Sequence, residues 1–195
     1  MNLRKLLAVS ASAALLAGCG LLSRNHPAED ELRMSDHTIQ ELCDSAKQFF
    51  VTRAGTGNLR IGPGVGGKTL TDKIGGGNGC FYDKDDGSAS PNLGSVSLFR
   101  VVDDDHTLSK PPPTNENYPT KLLAVDGITV KVVTEPLPAG ADPAGTPLTV
   151  DLTTSIDGWD GALHFRATEN ETSRDDRTVR AGGQVLVNMV RALKG

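Results

Sequence analysis

The chain is poor in aromatic side chains: one Trp, two Tyr and five Phe among 195 residues. That scarcity argues against single-stranded nucleic acid as a partner, because such sites stack bases on aromatic platforms. Basic charge is lacking too, since 20 Lys and Arg face 24 Asp and Glu for a formal net charge of −4. A domain that neutralises a phosphate backbone needs the opposite balance. No apolar run reaches the roughly 20 residues of an ordinary membrane-spanning helix. Nor does any HExxH, GxSxG, SxxK or CxxC string occur, so zinc, serine acyl-enzyme and dithiol chemistry have no motif behind them. What the chain has in quantity is glycine, 22 residues, with 11 prolines. Such a composition predicts a loop-rich chain and not a helical bundle.

The N-terminus has the three parts of an export signal. Arg4 and Lys5 open it, an apolar stretch runs from Leu6 to Ala17, and small residues follow. Leu16-Ala17-Gly18-Cys19 resembles the lipobox of bacterial lipoproteins. The resemblance implies a diacylglyceryl group on Cys19 and cleavage just before it. The expected division is a signal peptide over 1–18, a lipidated tether over 19–35 and a globular domain over 36–195. The implied location is the extracytoplasmic face of the cell membrane. Loss of Arg4 and Lys5 would take the formal charge from −4 to −6, so lipid, and not attraction to anionic headgroups, would hold the domain there.

Along the globular part, Ile39, Leu42, Cys43, Ala46 and Phe49 or Phe50 recur at helical spacing and predict a helix over about 36–53. Thr38 and Glu41 have capping-box spacing, and Gly55 is placed as the stop. Residues 54–79, with ten glycines, read as an extended loop holding one short strand at most. Strands are expected at Cys80–Tyr82 and Ser95–Val102, paired through the DKDDGSASPNLG connection. Two more, Leu122–Val125 and Ile128–Thr134, flank the Asp126-Gly127 turn. Alternation at Leu148, Val150 and Leu152, then at Leu163, Phe165 and Ala167, predicts strands with one buried face. Pro111 to Pro119 reads as a stiff exposed loop and PLPAGADPAGTP as a flexible insertion. A closing helix over about 174–193 carries Gly182-Gly183, a pair suited to close packing on a sheet. The expected class is α+β: a single domain whose antiparallel sheet is covered on one face by an N-terminal and a C-terminal helix.

Besides Cys19, only Cys43 and Cys80 remain. In an exported chain a lone pair is most simply a disulfide, here clamping helix to sheet across the glycine-rich loop. A cysteine on the first helix, Gly79-Cys80-Phe81, SVSLFRV, VDGITVKV and a C-terminal helix together resemble small actinobacterial lipoproteins of unknown function. Many of those carry a second cysteine pair, which this chain lacks, and the resemblance implies no catalytic residue.

Gly62 to Thr69 (GPGVGGKT) matches the phosphate-loop pattern of GxxxxGK followed by Ser or Thr. Its context is wrong: four residues, NLRI, precede it as strand, and Gly75-Gly76-Gly77 follows before a helix could form. A structural loop is the expected reading, and no nucleotide is expected. Asp83-Lys84-Asp85-Asp86-Gly87 hints at a calcium loop, but Gly87 occupies the third ligand position, the fifth residue of the loop, and Ser88 and Gly94 the sixth and twelfth. Asp103-Asp104-Asp105-His106 could ligate a metal, yet alternate side chains on an extended chain point apart. His26, His37, His106 and His164 share no ligand spacing, and His164 is expected on a strand's exposed side. No cofactor, metal or catalytic residue is therefore assigned. The expected function is a membrane-anchored, non-catalytic binding or accessory module of the cell envelope, with a protein partner there. The alternative is a carrier of an apolar ligand or lipid. A hydrolase at Asp103–His106 is the third reading.

Overall fold

In a computed structural model the described residues are 35–64, 66–75, 78–87, 92–100, 117–174 and 177–195. Helix α1 spans Ile39–Ala54. It starts where the sequence places its cap: the Glu41 backbone N–H donates to Thr38 Oγ1 at 3.3 Å, and the Thr38 N–H donates to Glu41 Oε2 at 2.6 Å. It ends at Gly55, whose φ of 66° lets its N–H turn back to the Val51 carbonyl. Seven strands follow: β1 Leu59–Pro63, β2 Asn78–Lys84, β3 Asn92–Arg100, β4 Thr120–Val125, β5 Ile128–Thr134, β6 Pro147–Ile156 and β7 Trp159–Thr168. Helix α2, Arg177–Leu193, closes the chain.

The strands form one fully antiparallel sheet in the order β1-β2-β3-β7-β6-β5-β4. The chain is thus an α+β single domain, and β3 pairs with the last strand rather than the next. Asp126-Gly127 and Asp157-Gly158 make the tight turns of the β4–β5 and β6–β7 hairpins. All four residues have positive φ, between 48° and 79°, as that mirror-image turn demands.

Both helices lie on the same face. Cys80, Tyr82, Val96, Leu98, Val150, Leu152, Leu163 and Phe165 point toward them and are buried. Phe50 stacks on Tyr82 at 4.1 Å between centroids, Phe49 meets Phe165 edge-on, and the Tyr82 hydroxyl donates to the Cys43 carbonyl at 2.5 Å. Burial of each such side chain contributes about 1.5–3 kcal/mol. The Cys43–Cys80 disulfide ties α1 to β2 with both residues fully buried. A Cβ on Gly182 would meet Leu152, Leu163 and Phe165 at 2.9–3.3 Å, so the absent side chain sets how closely α2 approaches the sheet.

Two expectations need correction. Residues 170–174 wind as a π-helical turn, so α2 starts at Arg177 rather than near Arg174. Thr168 backbone N–H donates to Glu171 at 2.7 Å, holding that turn apart from the helix. The PLPAGADPAGTP segment is an organised loop: Ala144 donates to the Asp142 carboxylate, Thr146 to the Asp142 carbonyl and Asn170 to the Pro143 carbonyl. The one short strand expected in the glycine-rich stretch is β1, an edge strand formed by pairing Leu59–Pro63 with Cys80–Lys84.

Candidate functional site

The second face of the sheet carries no helix or strand among the described residues. The pairing register sets Phe81, Ser95, His164 and Asp151 in one row across β2, β3, β7 and β6. His164 Nδ1 lies 2.7 Å from Asp151 Oδ1, with side chains 38% and 23% exposed. The contact with the carboxylate orients the imidazole through Nδ1. Among the described residues the hydrogen bond of His164 goes to Asp151 and none joins it to Ser95. The ring is thus oriented, but the Ser95 hydroxyl in the same row is not engaged with it. Next to the row lies a solvent-open cleft of about 410 Å³ lined by Phe81, Ser95, Ser97, Phe99, Asn78 and Asn92. Its walls are hydroxyls, amides and two phenyl rings, with no charged side chain.

On the helical side a groove of about 500 Å³ runs between α1 and α2, lined by Phe49, Arg53, Glu171, Ala181 and Val185 among others. Its charges are mutually satisfied. Arg53 Nη1 lies 2.9 Å from Glu171 Oε1, Nη2 donates to the Arg166 carbonyl at 2.7 Å, and the guanidinium sits 5.4 Å from the Phe165 ring centroid. Burial pushes the Glu171 carboxyl upward, but the hydrogen bonds from Arg53 and from the Thr168 backbone outweigh it and hold it below its ordinary value. The pair fastens the π-helical turn to α1.

Of the cysteines singled out from sequence, Cys43 and Cys80 are joined, and Cys19 lies outside the described residues. So do His26 and the Asp103–His106 cluster. The Gly62–Thr69 string is not a phosphate cradle: β1 ends at Pro63, no helix follows Thr69, and the Thr69 N–H is taken by the Asp72 carboxylate at 2.7 Å. In the acidic string, Asp83 is committed to Arg60 at 2.6 Å and to Asn92. Among the described residues no group of three or more His, Cys, Asp or Glu side chains could hold a metal ion, and no helix is long and apolar enough to cross a membrane.

The His164–Asp151 pair is the feature the sequence reading missed, since His164 was expected simply to face solvent. A signal existed. A two-residue turn at Asp157-Gly158 sets Ile156 opposite Trp159, and counting outward sets Asp151 opposite His164. Ser95 joins that row only through the distant pairing of β3 with β7. Searches against known protein families, curated proteins and solved structures find no match to this chain.

Proposed function

We propose that this chain is a lipoprotein, anchored through an acylated Cys19 on the extracytoplasmic face of the cell membrane, that acts as a non-catalytic binding or accessory module. One observation carries the choice of surface binding over internal carriage. Along α2 the contact with the sheet is filled, with Gly182 and Gly183 leaving no room for even a methyl group without displacing Leu123, Val125, Leu152, Leu163 or Phe165. A carrier needs some 300 Å³ or more of enclosed apolar space. The uncharged cleft and the His164–Asp151 row on the open sheet face are where a partner would bind. A buried disulfide suits an oxidising compartment.

Two measurements test the reading. Fatty-acid analogue labelling should mark the wild type and spare Cys19→Ala, and an unlabelled wild type would overturn the anchor. Photo-crosslinkers placed at Ser97 should capture an envelope partner in intact membranes, and substituting Phe81 with Ala should abolish the capture. The carrier reading draws on the groove beside Phe49, Ala181 and Val185, and native mass spectrometry revealing a bound lipid would favour it.

A further inference from the structure

Strand β4 ends the sheet, and its outer edge is paired with nothing among the described residues. Which backbone groups face outward follows from two observations. Val125 and Ile128 flank a two-residue turn, the position at which a hairpin exchanges its first pair of hydrogen bonds. The Pro119 carbonyl accepts from the Thr134 N–H at 3.1 Å. Residues 119, 121, 123 and 125 thus direct their backbone groups at β5, and Thr120, Leu122 and Ala124 direct theirs at solvent. Among the described residues Leu122 is also the large apolar side chain left exposed, at 72%. It lies on the open face, because Leu123 and Val125 point toward Gly183 of α2.

We propose that the β4 edge pairs antiparallel with the β4 edge of a second copy of this chain, about a twofold axis through Leu122. That axis sets Leu122 opposite its own copy and Thr120 opposite Ala124. The three outward residues of each strand then satisfy six backbone hydrogen bonds, and the two Leu122 side chains cover one another. The contact is isologous and closes on itself. The other edge suits this less well: β1 contains Pro63, which has no N–H to donate. An axis normal to the sheet keeps both helix layers on one side. Ser35, the first described residue, lies in that layer, where its Oγ donates to the Leu193 carbonyl at 2.6 Å. Two acyl anchors could therefore enter one bilayer. The pairing itself needs no anchor; its enrichment at a membrane rests on the lipoprotein reading, since confinement raises the effective concentration for a short edge.

The test is disulfide trapping in the full-length chain, in membranes and as the Cys19→Ala form. Opposed residues in such a pair stand about 5.5 Å apart between Cα atoms, within disulfide reach. Leu122→Cys should crosslink to itself about tenfold faster than Lys131→Cys on the same face. Thr120→Cys alone should not, because its copy lies four residues off, about 14 Å away. A mixture of Thr120→Cys and Ala124→Cys chains should crosslink. Peptide mapping of an intact Cys43–Cys80 bond in each variant keeps misfolding from imitating the result. Equal rates at Leu122 and Lys131, self-crosslinking of Thr120→Cys, or capture of a different protein in place of a second copy would overturn the proposal. The same positional pattern in Cys19→Ala with no fatty-acid labelling of the wild type would retain the pairing and remove the anchor.

Discussion

At the scale of single residues, the absence of a side chain at Gly182 matters as much as most side chains present. In an isolated helix Gly182→Ala would stabilise by about 1 kcal/mol. Here the new methyl group would press on Leu152, Leu163 and Phe165 together, an overpacking that costs about 1–3 kcal/mol. The expected outcome is net destabilisation, read as a lower urea midpoint with unchanged slope. The cap of α1 gives a second prediction. Removing the Thr38 hydroxyl with Thr38→Ala should cost about 1 kcal/mol in the same measurement. Its partner Glu41 is held down from 4.5 to about 2, first by the Thr38 backbone N–H and then by His37. The folded state therefore binds that proton less tightly than the unfolded chain, so the stabilisation is complete above 4.5 and disappears as pH falls toward 2. The stability gap between wild type and Glu41→Gln should close across that window. The cap was legible from sequence because it acts within one helical turn. The glycine pair was legible because its small size marks a close approach to the sheet, although the residues Gly182 approaches, Leu152, Leu163 and Phe165, lie on distant strands.

At the scale of elements, the disulfide fastens α1 to β2 across 37 residues. Constraint of the unfolded chain over such a loop contributes about 3–4 kcal/mol. The double substitution Cys43→Ala with Cys80→Ala should lower stability by that much or more, since two fully buried residues also lose packing. Denaturant titration of wild type against the double variant, at one pH, measures it. The helix and the two tight hairpins were legible because capping, turn chemistry and alternation are local codes. That the glycine-rich stretch holds one short strand was legible too, but its place at Leu59–Pro63 was not, because bonding to Cys80–Lys84 sets it. The π-helical turn was also hidden. It depends on Glu171 reaching both Thr168 and Arg53, and Arg53 lies 118 residues away in sequence.

At the scale of the whole molecule, composition, period and turn signals were enough to determine an α+β chain whose sheet is covered on one face by a helix from each end, the tight hairpins, and the two cysteines available to pair. The helices and tight turns rest on residues within about a dozen positions of one another, and the cysteine pair on a count over the whole sequence. Only the tertiary structure decided that β3 lies beside β7, that β4 forms an edge, and that the face turned away from the helices gathers Phe81, Ser95, His164 and Asp151 into a row. Strand order is a choice among distant pairings that satisfy the backbone equally well. Burying the two helices' apolar faces against a single sheet is what selects among them, and no local stretch of sequence contains that sum.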